Sequence, residues 1–401
     1  MDRLNIAWML ESGAPAAHSE MINSGAATAV WRHAIDRAPK LVFEEHRTSS
    51  MGETLILREP IGTVLAILTY NGPVVIMGMK VIPALLAGCP VIIKHAPESQ
   101  LTSRIIAEAV QEADFPTGVV SVLAANTQVT QHLVEHPGVD MIGLTGGTVI
   151  AVDVVRRSAG RLARTALELG GKSPAIIADD IPLELVLPTL VSGSTGFLGQ
   201  VCVSLSRILV SRSRHDELVS ALANAYRDLK VGLPWDEGVD RGPLAVERAR
   251  DRVERMVATA VKQGAEIAAG GRRPPHLQRG WYYEPTLLTN VQNDMEIAQE
   301  EVFGPVTAVI TYRDMDDAVR IANDSKFGLA SSIYSTDPAV QMRVARSIRS
   351  GGVAINAAGV SLVEPFGGIK QSGWGRECGD EGIFEFTDTK QVVLRGSYVE
   401  A

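Results

Sequence analysis

Between Ile61 and Val210 the chain alternates short, almost continuously apolar runs with longer stretches of helical spacing. IGTVLAILTY (61–70), PVIIKHA (90–96), VVSVLAA (119–125), DMIGLTG (140–146), TALELGG (165–171) and SPAIIA (173–178) predict strands. Between them, Val74–Ala87, Ser99–Ala113 and Thr127–His136 predict helices. Strands that are apolar on both faces and separated by helices predict a parallel sheet covered on both sides. Ligands of such sheets bind beyond the carboxyl ends of the strands. A second α/β block follows. It has a strand at ILVSRS (208–213), helices at His215–Lys230 and Ala245–Gln263, and a Pro/Gly-rich loop, GGRRPP (270–275). It continues with a strand at TAVITY (307–312) and helices at Met315–Ser325 and Ala339–Arg349. TLILREP (54–60) and TKQVVLRGSYV (389–399) alternate in the manner of exposed antiparallel strands. No internal repeat or low-complexity segment interrupts the pattern.

Composition narrows the function. The 401 residues are 46% hydrophobic and 21% charged, enough for two or three domains with a sizeable core. The net charge of -8 argues against nucleic acid or an anionic membrane as the main partner. The longest apolar stretch, Val81 to Ile93, is broken by Pro83, Gly88 and Pro90, so no bilayer span is expected. Leu4 to Leu10 followed by Ala14-Pro-Ala-Ala imitates a signal peptide, but Asp2 and the short apolar core argue against one. Three cysteines, Cys89, Cys202 and Cys378, are too few and odd in number for a disulfide framework. A cytoplasmic location is expected.

Five stretches carry candidate chemistry. In GFLGQVCVS, Cys202 follows Gly196, Gly199 and Gln200, where the backbone can approach a ligand, as a nucleophilic thiol requires. Cys89 and Cys378 read instead as small buried hydrophobes. In LELGGKSP, Glu168 is a lone acid at an apolar strand end, either a desolvated general base or a solvated strand-end carboxylate. In TYNGPV, Asn71 either makes a turn or aims its amide at a developing oxyanion. In VIIKHAPE, Lys94 closes a strand where a cation meets a nucleotide ribose or phosphate. In LTGGTVIAV, Gly146 and Gly147 join a strand to a helix whose N-terminus suits a phosphate.

The order and spacing of these five stretches resemble the aldehyde dehydrogenase superfamily. EEVFGPV (300–306), NDSKFGLA (323–330) and PFGGIKQSGWGRE (365–377) extend the likeness from about Glu11 to the C-terminus. The resemblance implies an α/β fold. A dinucleotide-binding domain (1–45 and 61–170) and a catalytic domain (171–372) are joined by oligomerisation strands (46–60 and 388–401). It implies Cys202 as nucleophile, with Asn71 and the Cys202 N–H as oxyanion hole. Glu168 would activate the deacylating water, and Glu377 with Lys80 would form a proton path. NAD or NADP would lie along Lys94, Pro97, Gly146 and Gly147, and would reach Tyr70, Leu169, Glu301 and Phe303. The substrate tunnel would be lined by Gly72, Met79, Gly196, Val360 and Phe366. The partners implied are an aldehyde and further copies of the chain, as a dimer or tetramer.

Four departures from the family pattern stand out. ESGAP (11–15) resembles a segment well inside usual members, so the opening elements of the cofactor domain are expected to be absent. Gly72 replaces an aromatic residue. Pro97 stands where an NAD-type glutamate is usual, with Glu98 displaced by one. Gly147 and Ala151 replace a serine and a glycine. Three rival readings compete: a thioester-forming relative that hands its acyl group to coenzyme A, a catalytically crippled binding subunit, and a zinc hydrolase at HLVEH (132–136). Pro137 and Gly138 end the HLVEH helix at once, and no third ligand is evident, so no metal is expected.

Overall fold

The computed structural model describes residues 2–396, and its strands form three sheets. The first has six strands in the order Gly373–Trp374, Arg164–Glu168, Met141–Thr145, Val64–Ile67, Val91–Lys94 and Val120–Leu123. All pairings are parallel except that of Gly373–Trp374 with Arg164–Glu168. The chain starts in the middle at Val64–Ile67, steps outward twice on one side, then returns to Met141–Thr145 on the other. The switch point therefore lies between Val64–Ile67 and Met141–Thr145, and it is beyond the carboxyl ends at such a point that parallel sheets bind ligands. Val64, Leu65, Met141 and Ile142 are fully buried there, as strands covered on both faces require.

The second sheet runs Glu266–Ala269, Thr286–Thr289, Val306–Tyr312, Leu205–Ser211, Ser173–Ile177, Ala330–Tyr334 and Gly352–Ile355. It is parallel apart from its first pair. The apolar runs from Ile61 to Val210 read as one block in the sequence, yet the chain changes sheets between Glu168 and Ser173. Two glycines make that crossing. A Cβ on Gly170 would overlap the Glu301 carboxylate, and one on Gly171 would come within 2.5 Å of the Cys202 carbonyl. The third sheet is antiparallel: Glu44–Ser49, Gly52–Pro60 and Thr387–Gly396. Of the strand region expected at 388–401, residues 397–401 lie outside the described residues.

Several elements have no clear period in the sequence. The segment that imitates a signal peptide is the helix Arg3–Ser12, with Trp8 fully buried. It is capped by the Asp2 carboxylate, which accepts the Asn5 N–H at 2.8 Å, and by Gly13 at φ 76. Its Glu11 carboxylate accepts the N–H groups of Leu101 (2.5 Å) and Thr102 (3.0 Å), which caps the helix Gln100–Glu112. The strand Ala330–Tyr334 carries two serines into the core, and the helix Leu183–Thr195 contains Pro188, so neither follows a simple pattern. Among the described residues, no helix is long and apolar enough to cross a membrane.

Candidate functional site

Cys202, Asn71 and Glu168 start from three different elements and come together: Asn71 bonds to Gln200, two positions before Cys202, and the Glu168 charge acts on the thiol. Asn71 ends the segment after Val64–Ile67. Its side-chain oxygen accepts from the Thr69 hydroxyl, and its amide nitrogen donates to the Gln200 carbonyl at 3.0 Å. The Trp8 indole N–H grips the neighbouring Tyr70 carbonyl at 2.8 Å. Cys202 follows the turn Gly196–Gly199 and keeps some solvent exposure. Burial raises its thiol to about 12, and the carboxylates of Glu301 and then Glu168 push in the same direction. The resting sulfur is therefore protonated at neutral pH.

Glu168 closes the strand Arg164–Glu168 and is almost wholly buried, with neither carboxylate oxygen hydrogen-bonded. Burial holds its carboxyl well above the usual range, and Glu377 adds to the rise. Glu377 is buried in turn against Lys80, whose ammonium donates to one carboxylate oxygen while the other has no partner. Lys80 projects from the buried helix Pro73–Leu86, and Glu377 is held by paired backbone bonds with Phe366, both 2.7 Å. A chain of ionisable groups thus runs from the thiol inward, in surroundings where each charge is costly unless matched.

Along the carboxyl edge of the six-stranded sheet, Lys94 is buried at the end of its strand, and Pro97 opens the single turn Pro97–Ser99. Burial lowers the Lys94 ammonium. Glu98 is ion-paired with Arg248, from the start of the helix Glu247–Lys262 in the other half of the molecule. Gly147 is the N-cap of the helix Thr148–Ser158 and leaves its first N–H groups without a side-chain cap. A Cβ at Gly147 would meet open space, and the adjacent Thr145 hydroxyl is buried without a partner. Gly146 donates its N–H to the Glu168 carbonyl at 3.0 Å, so the two sites share one strand pair. Glu301 accepts the Gly171 N–H at 3.1 Å, and burial raises its carboxyl to about 7. The Tyr70 ring meets Phe303 edge-on at 6.2 Å. Leu169 is buried, its N–H bonded to the Ser372 carbonyl at 3.1 Å.

Residues 1–392 match the model of the aldehyde dehydrogenase family. The geranial dehydrogenase of Castellaniella defragrans is 39% identical over 388 residues, covering 96% of this chain and 81% of that protein. A putative aldehyde dehydrogenase of Staphylococcus aureus is 36% identical over 385 residues, 96% of this chain and 80% of that protein. Among solved structures, a Mycobacterium tuberculosis aldehyde dehydrogenase complexed with NAD+ superposes with a TM-score of 0.96 at 40% identity. That match covers 98% of this chain and 82% of that one. Staphylococcus aureus betaine aldehyde dehydrogenase in complex with NAD+ gives 0.94 at 34% identity, over 97% and 78%. The chain belongs to the aldehyde dehydrogenase family. The family, the α/β fold and the enzyme class implied by the motifs are thereby met.

In this aldehyde dehydrogenase, some neighbours of the candidate site carry no sequence signal. Arg252 lies on the helix Glu247–Lys262, and its charge acts on both the Tyr70 hydroxyl and the Glu301 carboxylate. Its Nε has no hydrogen-bond partner. Lys172 is buried behind Glu301 with its ammonium unpartnered, and burial lowers it to about 7. Both residues read in the sequence as ordinary members of an amphipathic helix and a loop. Of the expected tunnel residues, Met79 and Phe366 are buried, and Val360 packs against the same apolar cluster as Cys202. A Cβ at Gly196 would meet nothing within 4 Å, and one at Gly72 only Val75, at 4.0 Å.

The HLVEH helix ends at Glu135, which pairs with Arg157; the His132 and His136 rings meet edge-on at 5.8 Å, and His136 accepts the Gly138 N–H at 3.0 Å. Cys89 and Cys378 are buried and unpaired.

Proposed function

We propose that this enzyme oxidises an aldehyde to the free carboxylic acid with NAD(P)+ through a thioester on Cys202. The observation that carries the reading is the convergence of a thiol, a tethered amide and a buried, unpaired carboxylate at one point. The dinucleotide would lie across the carboxyl edge of the six-stranded sheet, in the domain formed by residues 1–45 and 61–170. The uncapped helix start at Gly147 and the unpaired Thr145 hydroxyl fit a pyrophosphate, and Lys94 fits the adenosine ribose. Glu301 would hold the nicotinamide ribose, with Phe303, Tyr70 and Leu169 beside the ring. The bound cofactor supplies the hydride acceptor. Residues 171–372 would supply the nucleophile, and residues 46–60 with 388–401 an oligomer interface.

The chemistry of the chain's own groups follows from their environments. Cys202 must lose its proton to solvent, to which it is partly open, before attack, and the sulfur then forms the C–S bond. One amide N–H of Asn71 is engaged by the Gln200 carbonyl, which leaves the other for the oxyanion, together with the Cys202 N–H. After hydride loss Glu168 takes a proton from water, whose oxygen displaces the Cys202 sulfur as the acid is released. Glu377 and Lys80 would carry that proton inward and away. The retained base favours hydrolysis over transfer to coenzyme A.

The open space at Gly72 and Gly196, beside an apolar cluster that includes Val203, Val360 and Leu362, favours an apolar aldehyde bulkier than acetaldehyde. A relative named for geranial points the same way. Pro97, and a Glu98 already engaged by Arg248, leave no free carboxylate at the ribose, so NADP+ should be accepted as well as NAD+. The test is cofactor reduction by purified protein with a panel of aldehydes, with and without coenzyme A. Free acid in both arms supports the reading, and acyl-CoA or no reduction overturns it.

A further inference from the structure

Gln200 is fully buried two positions before the thiol, and none of the roles above uses its side chain. Its carboxamide ties together three separate pieces of the site. Oε1 accepts from the Tyr70 hydroxyl and from the Ala245 N–H, each at 3.2 Å, while Nε2 donates to the Phe197 carbonyl at 3.3 Å. Its backbone adds two further ties. The Gln200 N–H donates to the Phe197 carbonyl at 3.0 Å, and the Gln200 carbonyl accepts the Asn71 amide at 3.0 Å.

The turn that Gln200 closes is strained. Phe197, Leu198 and Gly199 have φ values of 46°, 51° and 66° in succession. Left-handed backbone at non-glycine residues is costly and persists only where the surroundings over-determine it. Two of the three residues carry side chains, Phe197 and Leu198, and both are buried. At the third, a Cβ would overlap the Gly304 carbonyl, so the turn is also pressed against the loop that bears Glu301 and Phe303. Phe197 is clasped outside by Trp8, at 5.2 Å between ring centroids, and by His18, at 5.4 Å. Relaxing any of these ties would let the turn unwind and carry Cys202 away from Asn71.

We infer that Gln200 is a positioning residue for acylation. It holds the left-handed turn that presents Cys202 and fixes the distance between that sulfur and the Asn71 amide. This inference rests on Cys202 as nucleophile and Asn71 as oxyanion donor. A displacement of about 1 Å at a reacting pair costs up to ~10²-fold in rate. Gln200 should therefore act on the chemical step and leave cofactor binding and the intrinsic reactivity of the thiol in place.

The experiment is a double-mutant cycle of Gln200→Met with Asn71→Ala, because methionine preserves the volume and removes all three carboxamide bonds. Four quantities are read on the full chain: the pre-steady-state rate of cofactor reduction, the cofactor Kd, iodoacetamide alkylation of Cys202, and Tm. Gln200→Met should slow the reduction step about 10- to 100-fold. The Kd and the alkylation rate should stay within about threefold, and adding it to Asn71→Ala should slow that variant by no more than about twofold. The inference is overturned if the two losses multiply, if the loss tracks Kd or alkylation, or if the reduction step is unchanged. If Gln200→Met does not fold, Tyr70→Phe deletes one bond to Oε1, and the same cycle should show about a 3- to 10-fold effect. Full reduction rates in Asn71→Ala or Cys202→Ser would instead refute the reading of the site itself.

Discussion

At the sulfur end of the site, Glu168, Glu377 and Lys80 are buried beside a partly exposed Cys202, and three of the carboxylate oxygens lack partners. At the far end, the ion pair of Glu98 with Arg248 sits at the surface, Arg248 being 72% exposed, and the helix start at Gly147 opens outward. The contrast sets the scale of what each residue can do. A charge in the buried cluster shifts its neighbours strongly because no water screens it. A surface ion pair contributes about 0–1 kcal/mol. Chemistry should therefore fail abruptly when the sulfur end is altered, while cofactor preference should drift in small steps at the other.

Substitutions at the sulfur end should show the largest effects. Cys202→Ser should lower turnover by at least ~10³-fold with cofactor affinity retained, since a serine without a dedicated base is a poor nucleophile. Cys89→Ser should keep the chemistry and lose stability, measured as a lower Tm. Substantial turnover by Cys202→Ser would erase the contrast between the two ends. Glu168→Gln should slow deacylation by about 10²–10³-fold and leave a burst of reduced cofactor before a stalled thioester. Because the Glu168 carboxyl is raised, its basic form appears only as pH climbs past the usual carboxylate range, so parent kcat should rise with pH. A flat profile for Glu168→Gln supports the assignment, and an unchanged slope transfers the role to another group.

The tunnel tests the middle of the site. kcat/KM should rise about 10- to 100-fold from acetaldehyde to octanal or benzaldehyde, mainly through KM, at roughly 0.8 kcal/mol per buried methylene offset by ordering costs. Gly196 has φ -52°, so a side chain fits its backbone as well as the space beside it. Gly196→Phe should reverse the preference toward acetaldehyde. Equal kcat/KM for acetaldehyde and octanal in the parent would mean that the open space is not the substrate's.

Glu301 bridges the two ends and gives a stability signature. Its folded carboxyl is raised from 4.5 to about 7, so its contribution is fully present below pH 4.5 and is lost as pH rises through 7. Glu301→Gln should therefore match the parent near pH 4.5 and exceed it by up to about 3 kcal/mol at pH 8, read by denaturant melts at both pH values. The smallest effect belongs to the far end. Arg248→Ala frees Glu98 toward the ribose and should lower kcat/KM for NADP+ relative to NAD+ by about three- to fivefold. A change beyond ~30-fold would show that this pair is not a weak surface contact.

Much of this was legible along the chain. The all-apolar runs at Val64–Ile67 and Met141–Thr145 announce a parallel sheet because both faces must be covered, and Cys202, Glu168 and Asn71 stand out beside glycines at strand ends. The switch of sheets between Glu168 and Ser173 was not legible in the apolar pattern, and only the family resemblance put a boundary at 170/171. A run of β-rich segments states that strands form but not which neighbours they choose. The pairing of Glu98 with Arg248, and the positions of Arg252 and Lys172, were hidden for a related reason. Arg252 and Lys172 read as ordinary solvated charges until a distant element packs over them, and nothing local pairs Glu98 with a residue 150 positions away.

Sequence by itself determined the residue types of the reaction and the periodicities that place them at strand ends, because both follow from local covalent chemistry and local burial. Only the tertiary structure decided the charge state and aim of those groups. The raised Glu168, the thiol at about 12 and the left-handed turn held by Gln200 arise from contacts between segments up to 297 positions apart, as with Lys80 and Glu377. Desolvation and strain are properties of what surrounds a residue, and those surroundings exist only once the chain has folded.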